Sequence, residues 1–361
     1  MNFKAHKFAV IAVATSMVLV ACGNDAEEVV APQDQPVAAG NIWPLTQMPG
    51  PEGAAAQPVI MMKIENDPSV RPQSGLADAD LVVEELVEGG MTRFATFYQS
   101  NVPEEAGPVR SARHVDASIA SPVADYFVAS GAAGVTIAYM DQNMPINIVR
   151  IYEGGIGFHR TNYHPAPHNL FQYPLDIIAS NAAAESVATG WFVQPTTALT
   201  AATATGEPTA KIALEFSKGN KPNWTWDEAK SVWVRDDGSK AHMDKSGVQL
   251  SATNVVVMKI TTVDAGYKDP AGGYVPRTVL EGTGEGYVLA GNKMTAITWS
   301  KPDVKSPVTM TDKAGAIIGT LPGNTWVELI PVDEGSVTFT AGKAAGTSPS
   351  ATPSASPSKS K

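Results

Sequence analysis

The chain contains one cysteine, Cys22, and it directly follows Leu19-Val20-Ala21 at the end of an apolar run. One thiol allows no intrachain disulfide and no CxxC metal site, so whatever fold this sequence adopts must be held by apolar burial. The composition permits that: 43% of the 361 residues are hydrophobic and 17% are charged, enough for one large domain or two medium ones. The place of the thiol carries a second message. Lys4, His6 and Lys7 precede an apolar core from Phe8 to Val20, too short for a stable membrane span and matching a signal peptide (1–21) cut before Cys22 in the manner of a bacterial lipobox. A diacylglyceryl group and palmitate-type chains on Cys22, at roughly 0.8 kcal/mol per buried methylene, then anchor the mature chain to the outer face of the cytoplasmic membrane.

The net charge of −10 argues against a nucleic-acid partner, which needs a basic face, and against adhesion to anionic lipid by charge alone. Residues 22–48 read as the lipidated cysteine and a flexible tether, acidic and poor in aromatics up to Gly40. Residues 342–361, made mainly of Ser, Pro, Thr, Ala and Lys, read as a disordered tail. Between these ends two regions differ. From 49 to 200, apolar runs such as Val59-Ile60-Met61-Met62 and Phe94 to Tyr98 alternate with helix-like stretches, the clearest from Arg113 to Tyr126, which predicts a mixed α/β unit. The Ala- and Thr-rich stretch Asn181 to Gly206 reads as the connection to the second unit.

From 207 to 332 the pattern is β throughout. Ile212, Leu214 and Phe216 share one strand face, as do Trp224 and Trp226, and Val255 to Ile260 suits a central strand. Gly291-Asn292, between Tyr287–Ala290 and Met294–Trp299, predicts a hairpin turn. Pro322-Gly323-Asn324 predicts a turn before Trp326 to Ile330. Five of the seven tryptophans fall in this region; core packing is one reading of them and sugar stacking the other.

The residues that bear chemistry concentrate in Arg71-Pro72-Gln73-Ser74-Gly75, in Asp80 through Phe94, and in Gly107-Pro108-Val109-Arg110-Ser111-Ala112-Arg113. With Ala166-Pro167-His168-Asn169-Leu170, Ala241-His242-Met243-Asp244 and Ile297-Thr298-Trp299, these segments resemble the YerB-like lipoprotein family over most of the chain from Val59 to Pro331. The resemblance implies an α+β fold in a layered β-β-α arrangement, a mixed α/β N-terminal unit with a β-rich C-terminal one. It implies no established activity.

Two readings of the charged cluster stay open. Arg110 and Arg113, joined by Arg71 and Arg93, form an anion site where the chain enters a helix; or these arginines pair with Glu84, Glu85 and Glu88 as buried ion pairs that fix strand register. Ser111, His168 and Asn169 accompany them. His159, His164 and His168 suggest a metal, but Pro165 and Pro167 exclude a regular helix between them, so no metal site and no cofactor is expected. His242 and Asp244 alternate along the chain, as an acid–base pair or as loop hydrogen bonders. No GxSxG elbow, SxxK pair, phosphate loop or EF-hand loop is present.

The sequence therefore favours a membrane-tethered binding or scaffold module for a cell-wall fragment, an anionic small molecule or an envelope protein. The alternative is a cell-wall assembly enzyme: Thr92-Arg93-Phe94, Val109-Arg110-Ser111 and Ser130-Gly131 loosely resemble the pyrophosphate-binding layout of LytR-type phosphotransferases, with Asp80, Glu84 or Glu88 placing a divalent cation. The Pro-Arg-Asp tripeptide expected of that layout is replaced here by Val109-Arg110-Ser111.

Overall fold

The computed structural model describes residues 41–180, 190–195, 206–269 and 272–343. Cys22 and its leader, the tether up to residue 40, most of the 181–206 connection and the tail from residue 344 lie outside the described residues. The described part of the first region holds strands β1 (Ile60–Glu65), β2 (Leu81–Leu86), β3 (Thr92–Tyr98), β4 (Tyr126–Val128) and β5 (Val149–Ile151), then the small hairpin β6 (Phe158–Arg160) and β7 (Leu170–Gln172). Helices α1 (Asp116–Ala120), α2 (Gly134–Asn143) and α3 (Pro174–Ser180) lie among them. The second region is made of strands: β8 (Glu207–Glu215), β9 (Pro222–Asp227), β10 (Val232–Asp237), β11 (Lys240–Ala241), β12 (Ser251–Ala252), β13 (Asn254–Lys268), β14 (Tyr274–Val279), β15 (Gly282–Ala290), β16 (Lys293–Lys301), β17 (Thr309–Thr311), β18 (Thr325–Pro331) and β19 (Ser336–Ala341).

One central sheet runs through both regions in the order β17-β16-β15-β13-β18-β2-β3-β1-β4-β5. The joint between the regions is the parallel pair β18–β2, with Trp326 opposite Val82 and Glu328 opposite Glu84. A second sheet, β19-β8-β9-β10 with β11 and β12 on β10, packs across it. Because side chains alternate along a strand, a sheet covered on both sides yields two cores. Met61, Val83, Phe97, Met258 and Leu329 belong to one, which α1, α2 and the Trp191–Phe192 segment cover. Phe94, Val82, Val257 and Trp326 belong to the other, against Ile212, Leu214, Phe216, Trp224 and Trp233 of the second sheet.

The strand readings of the second region hold, and Gly291 takes the positive φ that the Gly291-Asn292 turn needs. The balance of helix and strand does not. Among the described residues there are nineteen strands and three α-helices, so the fold is β-rich rather than an even α+β mixture. The helix expected from Arg113 to Tyr126 is confined to α1, because Pro122 offers no N–H to continue it and Tyr126–Val128 is drawn into the sheet beside β1. Residues 41–48, placed in the tether, are folded: Thr46 is buried, its carbonyl accepts from Gly323 N at 2.8 Å, and Leu45 packs on the first core. Trp43 and Leu45 supply the apolar surface that the stretch before Gly40 lacks.

Candidate functional site

Glu84 and Glu85 are consecutive on β2 and so point to opposite faces of the sheet, and each meets a cation there. On the helix side, Glu85 accepts from Lys63 Nζ, which also lies 2.8 Å from Asp116 Oδ1 of α1. All three side chains are buried. Burial and the Asp116 carboxylate push the Glu85 carboxyl up to about 7, against the pull of Lys63. Asp116 Oδ2 accepts from Arg113 N at 2.6 Å, so this triad fixes where the Gly107–Arg113 segment enters α1.

On the other face, Arg235 of β10 is clamped between two carboxylates. Its Nη2 donates to Glu84 Oε2 at 2.6 Å and its Nη1 to Glu328 Oε1 at 2.8 Å. Phe94, Trp224 and Trp326 surround the guanidinium, with ring centroids 5.6, 5.4 and 4.9 Å away. Thr92 and Asn66 donate to Glu84, and Trp224 Nε1 donates to Glu328 at 2.7 Å. One guanidinium cannot neutralise two carboxylates out of reach of water, so burial and the adjacent Glu84 push Glu328 up to about 8. His242 completes the cluster: its Nδ1 accepts from Arg235 Nε at 3.2 Å, so its Nε2–H donates to Gln73 Oε1 at 3.0 Å. Burial, then Arg235, hold it neutral, down to about 2.

The remaining arginines form a shelf at the ends of β1 and β3, in which Arg93 and Arg113 are buried and Arg110 is half-buried. Arg113 forms a two-pronged pair with Glu88, its Nε donating to Oε2 at 2.9 Å. Arg93 Nη2 lies 3.9 Å from the same carboxylate and its Nη1 donates to Ser111 O at 2.7 Å. Arg110 Nε lies 3.2 Å from Glu65 Oε1, and His168 Nδ1 is 3.0 Å from the same carboxylate. Ser111 Oγ and Ser130 Oγ are 3.2 Å apart. Burial, then Arg113, and also Arg110, lower Arg93 to about 10. Three guanidiniums thus crowd one another over two carboxylates, Glu65 and Glu88, a surplus of positive charge on a chain of net charge −10.

Other candidate residues stand apart. Arg71 donates to Asn66 Oδ1 and pairs with Asp237 beside a pocket of about 340 Å³ that His242 and Lys240 also line. Asn169 accepts from Arg160 Nη1 at 2.6 Å on the β6–β7 hairpin. Asp244 Oδ2 accepts from Leu76 N at 2.9 Å, while His242 bonds Arg235 and Gln73, so each is held by hydrogen bonds to other partners. Asp80, Glu84 and Glu88 do not converge on a cation. Asp80 holds Gln99 N and Ser100 N, while the other two are taken by Arg235 and Arg113. Among the described residues no group of three His, Cys, Asp or Glu side chains has metal-binding geometry; His159 instead meets Glu105 at 3.0 Å. Trp224 and Trp299 are buried, which removes the sugar-stacking reading for them; Trp226 is half-buried and bonds Glu228.

Sequence reasoning missed Lys63, Asp116, Arg235, Glu328 and Glu65. The signal was there. Lys63 interrupts Ile60–Ile64, Glu328 interrupts Trp326–Ile330, and Arg235 follows Trp233 on the inward face of its strand, each a charge at a position the pattern reserves for apolar groups.

These features define a β-rich protein whose two regions share one sheet and meet on a buried Arg–Glu–Glu cluster, with an arginine shelf at its rim. Residues 45–188 match the N-terminal domain, and residues 212–327 the C-terminal domain, of a protein family of unknown function (DUF3048). The chain belongs to this family, the YerB-like lipoproteins. It is 24% identical over 304 residues to "Putative lipoprotein YerB" of Bacillus subtilis (strain 168), covering 82% of this chain and 88% of that one. The crystal structure of the Bacillus subtilis YerB protein has a similar fold, with a TM-score of 0.69 at 22% identity over 82% of this chain and 99% of that chain.

Proposed function

We propose that this chain is an envelope lipoprotein, anchored through Cys22 at the outer face of the cytoplasmic membrane, whose body binds an anionic envelope ligand rather than transforming it. One observation carries the reading: among the described residues Arg93, Arg110 and Arg113 share two carboxylates, Glu65 and Glu88, within ion-pair distance, and Arg93 and Arg113 repel each other, so an added anion relieves that repulsion. Arg110, the most open of the three, lies beside the Ser111–Ser130 hydroxyl pair and His168. Among the described residues, Glu84, Glu88 and Glu328 are each paired with an arginine.

The test is thermal unfolding of the purified protein with muropeptides, phosphosugars and lipid-linked precursors. A true ligand at 100 times its Kd adds about 2.7 kcal/mol of stability. At least one of these ligands should raise Tm in the parent and fail to do so in Arg110→Ala. Silence across all of them, together with no envelope protein recovered by pull-down, overturns the proposal.

A further inference from the structure

Seven of the eight arginines come within ion-pair distance of a carboxylate; Arg277 is the exception among the described residues. It sits on β14, in the arm that β14 forms with the outer half of β13, and this arm lies against the Glu88–Gly90 turn. Its guanidinium carbon is 4.9 Å from the ring centroid of Tyr139 on α2, and its Nη2 donates a long bond of 3.4 Å to Tyr139 Oη. The Tyr139 ring is 5.0 Å from His114, whose ring is 5.9 Å from Tyr267 of the arm. Buried Thr136 Oγ1 stands 3.4 Å from His114 Nδ1 and 3.3 Å from Tyr267 Oη. Glu281, the carboxylate whose field reaches Tyr139, accepts the Ser118 hydroxyl.

We propose that Arg277, Tyr139, Tyr267 and His114 form an oxyanion site, for a phosphate or carboxylate borne by a ligand, assembled where the β13–β14 arm closes over α2. The guanidinium has one face covered by an aromatic ring and, among the described residues, no carboxylate within ion-pair distance, so beyond the long bond to Tyr139 its N–H groups are available for two oxygens of an anion. Two phenol hydroxyls and an imidazole supply further donors; Arg277, Tyr139 and Tyr267 are half-buried and open to a ligand, while His114 is buried behind them, where a bond is strengthened by the scarcity of water. His114 lies in the field of both Arg277 and Arg113, and these cations, after burial itself, hold it below its ordinary pKa. An anion seated there reverses that field. The site goes beyond the arginine shelf: Tyr139 comes from α2 and Arg277 and Tyr267 from the arm, while His114 follows Arg113 of the shelf in the chain, so Arg110→Ala serves to tell the two apart.

The test follows the His114 ring resonances by NMR in the full chain, titrated with inorganic phosphate in one arm and acetate in the other, with sodium chloride holding ionic strength fixed. A saturable shift is expected, with the imidazole titration moving to higher pH. It should vanish in Arg277→Gln and persist in Arg110→Ala, which separates this site from the shelf. The stronger probe identifies phosphate or carboxylate as the ligand's anion. Tyr267→Phe, which removes one hydroxyl, should weaken binding several-fold and covers the case in which Arg277→Gln fails to fold. No saturable shift with either probe, or unchanged curves in Arg277→Gln and Tyr267→Phe, overturns the proposal.

Discussion

At the scale of single residues, the informative groups are charges placed where the strand pattern calls for apolar side chains. Arg235 is 1% exposed between Glu84 and Glu328, so removing it leaves buried carboxylate without compensation. Arg235→Met should cost about 3–5 kcal/mol, measured by denaturant unfolding. The triple change of Arg235→Met with Glu84→Gln and Glu328→Gln should cost less than the single one. A single variant as stable as the parent would contradict the described pairing. Glu328 adds a pH dependence. Its folded carboxyl holds a proton up to about 8, whereas the ordinary value is 4.5, so the folded state binds more protons between these values. Stability therefore falls as pH rises from about 4.5 to about 8. Glu85, raised to about 7, acts in the same direction, while neutral His242 lowers stability as pH falls below 6.5. Both contributions persist in Glu328→Gln, so the difference from the parent isolates Glu328. The variant should show a smaller loss of denaturant midpoint between about pH 5 and pH 8, and a slope equal to the parent's would exclude the raised carboxyl.

At the scale of elements, what the sequence makes legible is local. The alternation of Ile212, Leu214 and Phe216 marks β8, and Gly291-Asn292 marks the β15–β16 turn, because both signals are complete within a few residues. The length of α1 was not legible, since the competitor for residues 126–128 is β1, which lies far back in the chain. The same limit governs the site. The arginine–glutamate pairing of Arg113 with Glu88 was among the open readings, but Arg235 and Glu84 are 151 positions apart and only the stacking of two sheets brings them together. Strand packing also yields a test. Gly286 on β15 sits where an added Cβ would come 2.3 Å from Val257 O of β13. Its backbone is not strained, so the obstacle is contact alone. Gly286→Ala should destabilise by about 1–3 kcal/mol in urea unfolding, and a neutral outcome would mean that β13 and β15 are less closely paired than described.

At the scale of the whole molecule, the two family domains meet in one hydrogen-bonded sheet through β2 and β18, and the Arg235 cluster draws one charged group from the first region and two from the second. Residues 41–343 should therefore unfold as one cooperative unit. Tryptophan fluorescence, dominated by the second region, and hydrogen exchange at β1–β3 should report the same midpoint; two separated transitions would show that the regions are stable independently. The β2–β18 pair also sets an order of events. A ribosome makes β2 long before β18 exists, so the nascent first half carries an open strand edge until almost the last folded residues emerge. Truncation anywhere ahead of Thr325 leaves that edge unpaired, and such fragments become substrates for proteases and aggregation rather than smaller versions of the protein.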